Sequence, residues 1–102
     1  MKYLLQFHPD VEEDLASIYS WYEQQTIGLG ENFLQSFYYS VELITKKPKL
    51  YVRNYGEYRR CLLHKFPYSI YYKINEKSIV IMGCFHYARD PKKLKAILQK
   101  RV

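Results

Sequence analysis

The spacing of the apolar residues changes in the middle of this 102-residue chain, close to Pro48. Before Pro48 they recur every three or four positions, as on one face of an amphipathic helix. From Tyr58 onward they alternate with polar residues, as on a strand with one buried face. The sequence therefore predicts an α+β fold: a small twisted antiparallel sheet, a helical hairpin packed on one of its faces, and a short C-terminal helix near an edge.

Two helices account for most of the first half. One begins at Pro9, which suits the first turn of a helix, and Asp10 adds a carboxylate at the positive end of the helix dipole. Gly28 and Gly30 interrupt the pattern, and Pro48 must end the second helix. The core-facing stripes consist of Val11, Leu15, Ile18 and Tyr22 in the first helix and of Phe33, Leu34, Phe37, Val41 and Ile44 in the second.

Four strands are predicted, and the last three should pair as an antiparallel meander. Asp90 is a good N-cap and Pro91 suits the first helical position, so a last short helix follows the strands. Residues 46–57 show no clear periodicity, which predicts a basic, exposed connection. The predicted strands extend over residues 3–7, 58–66, 68–74 and 79–85.

A single domain spanning residues 1–102 is expected, because a chain of this length buries roughly two thirds of its unfolded surface without disulfides or metals. Cys61 and Cys84 lie on predicted strands without Cys-x-x-Cys spacing, so small core residues are expected rather than a zinc site or a disulfide. The N-terminal apolar run is too short for a signal peptide, and no run reaches transmembrane length. The chain is therefore expected in the cytoplasm, with no metal site and no membrane contact.

Charge is divided unevenly along the chain. Residues 1–45 hold seven acidic side chains and one lysine, whereas residues 46–102 hold fifteen lysines and arginines and three acids. Twelve tyrosines add apolar area with a polar tip, which suits interfaces. The basic half therefore favours a polyanion or an acidic protein as a partner.

A series of short motifs runs along nearly the whole chain. Each motif is weak alone, and their order carries the information. They are Asp14-Leu15, Trp21-Tyr22-Glu23, Gly28-Leu29-Gly30, Phe33-Leu34, Arg60, Phe66-Pro67-Tyr68, Ile70, Tyr72, His86 and Arg89-Asp90-Pro91. This order resembles the RelE/ParE superfamily of toxins from bacterial type II toxin-antitoxin systems. The resemblance implies a growth inhibitor of the plasmid stabilization type, kept silent in a hetero-oligomer by a cognate antitoxin.

The superfamily has two branches that differ in chemistry. RelE-like members resemble ribosome-dependent mRNA endonucleases (mRNA interferases), whereas ParE-like members act on DNA gyrase and have no accepted catalytic constellation. RNA cleavage without a metal needs a base for the 2′-hydroxyl, a cation for the phosphate and an acid for the leaving oxygen. The resemblance implies no cofactor in either branch.

The cation is where this chain departs from the RelE-like pattern. RelE-like nucleases carry an arginine directly after the tyrosine that matches Tyr68, and this chain has Ser69 there. Arg60 falls near one basic position of RelE, but the second basic position corresponds to Leu62. The main phosphate-binding group of a nuclease is therefore missing, which favours the ParE-like branch.

His86 is the candidate for proton transfer. With a shift of one residue, His86 and Tyr87 resemble a nuclease pair in which histidine is the general acid or base and tyrosine stacks on a base. Without any shift, His86 and Arg89 match the ParE side. A gyrase inhibitor is therefore expected, and the alternative is an mRNA endonuclease with catalytic residues Arg60, His86 and Tyr87.

Five residues are predicted to contact the target, namely Arg60, Tyr71, Lys73, His86 and Arg89. Tyr71 and Lys73 are included because they point away from the core-facing residues of their strand. Structural alternatives exist: Arg60 satisfied by a carboxylate or a backbone carbonyl, His86 hydrogen-bonded at a strand end, and Arg89 holding the turn into the last helix. A degenerate toxin, or one with another target, is a further alternative.

Overall fold

The computed structural model describes residues 2–101. Its elements are β1 (Leu4–Phe7), α1 (Asp10–Gln25), α2 (Leu29–Lys46), β2 (Arg53–Tyr55), β3 (Tyr58–Leu62), β4 (Tyr68–Asn75), β5 (Ser78–His86) and α3 (Pro91–Lys100). The strands form one sheet in the order β1-β5-β4-β3-β2. The three predicted meander strands pair in antiparallel fashion, whereas β1 is parallel to β5 and makes the sheet mixed. The predicted α+β fold is confirmed.

The turn between α1 and α2 is organised by the carboxylate of Glu23. Its Oε1 accepts hydrogen bonds from the backbone N–H of Gly28 at 2.9 Å and of Gly30 at 2.8 Å. These amides lie at the start of α2, where N–H groups lack helical partners, so Glu23 supplies the capping oxygen that Gly28 cannot. At Gly30 a Cβ would lie 2.8 Å from the carbonyl oxygen of Tyr19, so only glycine lets the helices approach this closely.

The α1–α2 hairpin covers one face of the sheet, called here the hairpin face, and builds the larger core. The predicted alternation in β4 is confirmed, because Ile70 and Tyr72 are fully buried against the helices. The hydroxyl of Tyr72 donates to the carbonyl oxygen of Pro48 at 2.6 Å, which ties the sheet to the end of α2. Side chains with no exposed area in this core are Phe33, Phe37, Ile44, Ile70, Tyr72, Ile79 and Ile81.

The last helix packs on the opposite face of the sheet, called here the α3 face. Leu94 and Leu98 pack there on Tyr71, Met82 and Phe85. This position follows from burial, because apolar residues on both faces of the strands must be covered. The N-cap predicted at the start of α3 is confirmed, since its carboxylate accepts a hydrogen bond from a backbone N–H of the first turn at 2.9 Å.

Residues 46–57, expected to be an exposed connection, contain the edge strand β2. It pairs with β3, and the N–H of Arg60 donates to the carbonyl oxygen of Val52 at 3.2 Å. The guanidinium of Arg59 donates to the carbonyl oxygens of Lys49 and Tyr51 at 3.2 and 2.7 Å and holds the preceding loop. A three-residue strand is too short to show alternation, so the sequence pattern did not reveal it.

The cysteines behave as small core residues, as predicted: Cys61 and Cys84 are both buried and unpaired. Within residues 2–101, no helix is long and apolar enough to cross a membrane.

Candidate functional site

The predicted site residues divide between the two faces of the sheet. Arg60 lies on the α3 face, because it is the cross-strand partner of Tyr71, which packs under α3. Lys73 follows Tyr71 by two positions and shares that face. His86 lies on the hairpin face, where it pairs across strands with Tyr68 and their ring centroids are 5.3 Å apart. The cation and the proton-transfer group expected for RNA cleavage, Arg60 and His86, are therefore not brought together.

The prediction of Tyr71 as a contact residue is not favoured by the structure. Its side chain points away from the hairpin, as expected, but it is only 3% exposed because Leu94 and Leu98 of α3 cover it. The Nδ2 of Asn54 donates a long hydrogen bond of 3.5 Å to its hydroxyl. In this conformation Tyr71 is a packing residue of the second core.

Ser69, where RelE-like nucleases carry arginine, is completely buried on the α3 face. Its cross-strand neighbours are Leu62 and Phe85. The Oγ atom has no hydrogen-bond partner in the part of the chain that the structure describes. A cationic side chain at this buried position would have to displace packed neighbours before it reached a phosphate.

Arg60 and Lys73 are half-buried on the α3 face. Within residues 2–101, Arg60 forms no ion pair with Glu57 and its guanidinium donates to no backbone carbonyl, whereas the guanidinium of Arg59 donates to the carbonyl oxygens of Lys49 and Tyr51. Among the described residues, no carboxylate forms an ion pair with Arg60. Its positive charge lies on the surface beside the core that α3 covers.

An open cleft of about 500 Å³ lies beside the end of β5 and is called here the β5 cleft. It exists because β1 pairs with β5 only as far as Ile81, so the last residues of β5 have no strand on that side. Two of the predicted site residues, His86 and Arg89, line it. The polar and charged lining residues are Asp10, Glu13, Asp14, Ser17, Tyr68, His86, Arg89 and Arg101.

An ion pair between Asp14 and Arg101 caps the unpaired edge of β5. Its two hydrogen bonds measure 2.6 and 2.8 Å, and they raise the pKa of the Arg101 guanidinium. The carboxylate also accepts from the N–H of Cys84 at 3.3 Å, and the guanidinium donates to the carbonyl oxygen of Met82 at 3.0 Å. The pair thus satisfies a donor and an acceptor that a neighbouring strand would otherwise meet. The sequence pattern does not reveal this pair, because its members are 87 residues apart.

The imidazole of His86 is fixed by the turn that follows it. The N–H of Ala88 donates to Nδ1 at 3.1 Å, so the neutral ring carries its proton on Nε2. In that state Nε2 can donate a hydrogen bond, and Nδ1 already accepts one from the backbone. The exposed ring of Tyr87 lies edge-on, with its centroid 5.1 Å from that of His86.

Arg89 is held by an aromatic ring. Its guanidinium carbon lies 5.3 Å from the ring centroid of Phe85, and that of Arg101 lies 5.0 Å from the same ring. Burial raises the pKa of the nearby Tyr68 hydroxyl, and the charge of Arg89 opposes that shift. No carboxylate pairs with Arg89 among the residues described.

A larger and more apolar groove, of about 660 Å³, lies between α1 and α2 at the end of β1. Leu15, Leu34 and Tyr38 line it, with Glu12 and Glu31 among the surrounding residues. None of the predicted site residues lies there. Within residues 2–101, no group of His, Cys, Asp and Glu side chains is arranged to hold a metal ion.

Three solved structures share the fold. The chromosomal ParDE TA system from P. aeruginosa matches with a TM-score of 0.75 and 17% identity over 83% of this chain and 96% of that one. The isolated E. coli RelE toxin matches with a TM-score of 0.61 and 14% identity over 96% and 98% of the two chains. The archaeal RelE-RelB complex from Pyrococcus horikoshii OT3 matches with a TM-score of 0.57 and 17% identity over 88% and 100%. At these identities the similarity shows a RelE/ParE toxin fold.

Sequence comparison gives the family. No curated protein matches the chain significantly. The family model described as the ParE toxin of the type II toxin-antitoxin system parDE matches residues 5–91. The chain therefore belongs to the ParE toxin family, and it is the toxin component of a type II toxin-antitoxin system.

Proposed function

We propose that this toxin inhibits DNA gyrase by binding it, without catalysis. The observation that carries the proposal is the separation of Arg60 and His86 on opposite faces of the sheet. A ribonuclease needs its phosphate-binding cation and its proton-transfer group within reach of one phosphodiester. A protein that acts by binding has no such requirement.

Two further observations support a binding mechanism. Ser69, which replaces the nuclease arginine, is fully buried and cannot present a charge to a phosphate. The N–H of Ala88 donates to Nδ1 of His86, so the unprotonated nitrogen of the neutral ring is turned to the backbone and not to a substrate. Membership of the ParE family agrees with both.

We also propose that a cognate antitoxin neutralises the toxin in a hetero-oligomer in the cytoplasm. The similar structures from P. aeruginosa and Pyrococcus horikoshii are a ParDE system and a RelE-RelB complex. Co-expression with the antitoxin is expected to restore growth and to yield a complex that elutes as one species in size-exclusion chromatography.

The direct test is the supercoiling of relaxed plasmid by purified gyrase with ATP. We expect the wild-type toxin to slow supercoiling in proportion to its concentration, and the Arg89→Ala variant to be weaker. Ribosome-bound mRNA should stay intact under the same conditions. Normal supercoiling together with cut mRNA would refute the proposal.

The alternative is a RelE-like mRNA endonuclease. It has one observation in its favour: Arg89 and His86 line the same cleft, with Tyr87 beside His86, so Arg89 would replace Arg60 as the phosphate-binding cation. It predicts that His86→Ala abolishes cleavage of ribosome-bound mRNA while binding of the antitoxin stays unchanged. If wild-type toxin cuts no mRNA, this alternative is excluded.

A further inference from the structure

The charges of the β5 cleft are arranged along its length. On α1, Asp10, Asp14 and Ser17 follow one another at intervals of about one turn and face the cleft. On β5, Met82 lies beside the Asp14–Arg101 pair, and His86 lies four residues further along the strand. The acidic start of α1 therefore marks one end of the cleft, and His86 with Arg89 marks the other.

The cationic end is available to an anion. Arg89 is positioned over the ring of Phe85 and pairs with no carboxylate among the residues that the structure describes. The cation–π contact restricts the guanidinium, so binding an anion costs less side-chain entropy than at a free surface arginine. Neutral His86 adds a donor at Nε2. Carboxylates and phosphates are the groups that such a pair of donors recognises.

The acidic end keeps one carboxylate free. Asp14 is paired with Arg101, and the Nε atom of Arg101 lies 3.7 Å from Asp10. Glu13 lines the same cleft, is exposed, and forms no ion pair within residues 2–101. A carboxylate in the first turn of α1 is also favoured by the helix dipole. The dipole is not an ion-pair partner, so the carboxylate can still bind a cation.

We propose that the β5 cleft binds a protein segment that carries one acidic and one basic side chain, the acidic one at Arg89 and His86 and the basic one at Glu13. A nucleic acid fits poorly, because its phosphates repeat along each strand and some would meet Glu13 and Asp10. The inference rests on the proposed function and adds that the toxin recognises the gyrase protein itself, not the DNA bound to gyrase.

The test compares binding to purified gyrase without DNA, to a 30-base-pair DNA duplex and to a 30-nucleotide RNA. The variants are Arg89→Gln and Glu13→Lys. The matched control is Glu12→Lys, which makes the same charge change in the same turn of α1 but lies in the groove between α1 and α2. Lys92→Gln on α3 is the control for loss of a cation. Circular dichroism and thermal melting confirm that each variant is folded.

We expect Arg89→Gln and Glu13→Lys each to weaken binding to gyrase at least about fivefold, and the two controls to stay within about twofold. The response to Glu13→Lys is decisive, because an added lysine strengthens binding to a nucleic acid but weakens binding to a basic side chain. Tighter binding of Glu13→Lys than of Glu12→Lys to DNA or RNA, or equal gyrase binding by all variants, would overturn the proposal.

Failure of the proposed function has a different signature. If wild-type toxin neither binds gyrase nor slows supercoiling, the gyrase assignment fails, and growth inhibition by the same variants then tests the cleft. Toxicity lost in Arg89→Gln and Glu13→Lys but kept in Glu12→Lys supports a protein segment from another target. Toxicity retained by Glu13→Lys overturns the cleft proposal.

Discussion

The two faces of the sheet are held by different kinds of contact. On the hairpin face, two long helices bury large side chains such as Phe33, Phe37 and Tyr72 with no exposed area. On the α3 face, Leu94 and Leu98 of one short helix cover the buried strand residues Tyr71, Met82 and Phe85. Polar contacts also hold α3 against the sheet. The hydroxyl of Tyr58 donates to the carbonyl oxygen of Leu98 at 3.3 Å, and Arg101, which directly follows α3, pairs with Asp14.

This difference separates stability from function. Apolar burial is the dominant favourable term in folding, so the hairpin face should supply most of the free energy of unfolding. The charged residues of the β5 cleft lie where the two faces meet and where β1 leaves the sheet edge uncovered. Changes in the first region should therefore unfold the chain, whereas changes in the second should alter local structure or binding.

The largest effect is expected for Phe33→Ala in the hairpin core. Phe33 has no exposed area and contacts the rings of Tyr22, Phe66 and Tyr68, so its removal leaves a large cavity. We expect the free energy of unfolding to fall by about 3–5 kcal/mol in urea denaturation. A loss below about 1 kcal/mol would show that this face is not the main source of stability.

A smaller and more local effect is expected for Leu98→Ala in the core of the α3 face. Leu98 is also fully buried, but its removal affects a core that one helix covers. We expect a loss of about 2–3 kcal/mol, with faster hydrogen exchange concentrated in the amides of α3. Equal acceleration in α1 and α2 would mean that the two faces open together and would break the comparison.

The ion pair at the sheet edge should contribute less than either core. Asp14→Asn removes a charge that is 13% exposed and leaves Arg101 without its partner, so we expect a loss of about 1.5–3 kcal/mol. Asp10→Asn is the matched control, since its carboxylate is 56% exposed and 3.7 Å from Arg101, and a loss below about 1 kcal/mol is expected. A double-mutant cycle combines Asp14→Asn with Arg101→Gln. If the losses of stability from the two changes simply add, the pair does not couple α1 to the residues that follow α3.

The smallest effect is a pH dependence of the hairpin face. Burial raises the pKa of the Cys84 thiol above its usual 9.0 and that of the Tyr72 hydroxyl above its usual 10.0. The unfolded chain therefore ionises first, so this contribution to stability is complete below about pH 9 and is lost as the pH rises further. Urea denaturation from pH 7 to pH 10.5 should show the decline, with a smaller slope near pH 9 in Cys84→Ala. Equal slopes near pH 9 in wild type and variant would contradict this assignment.

The sequence predicted the hairpin face well, because periodic spacing encodes it directly. The stripe from Val11 to Tyr22 and the alternation of Ile70 and Tyr72 both point into the core as expected. The turn between the helices was also marked by glycines, although the role of Glu23 as its organiser depends on a contact that no periodicity reveals.

The α3 face was harder to predict, because strand alternation shows only that a side chain points away from the core of the hairpin face. Whether Tyr71 then meets solvent or a second core depends on where α3 docks, and the sequence does not specify that position. The same limitation applies to Arg101, which appeared as one of several cations near the end of the chain but pairs with Asp14 87 residues away. Long-range pairing of this kind follows from topology, not from local pattern.

The most direct test of the central claim, that this toxin acts without a catalytic pair of Arg60 and His86, is pulse labelling after induction in a bacterial host that lacks the antitoxin. DNA synthesis and protein synthesis are followed separately. The account predicts that DNA synthesis fails first, with filamentation and an SOS response. Protein synthesis failing first, with transcripts cut on ribosomes, would contradict it.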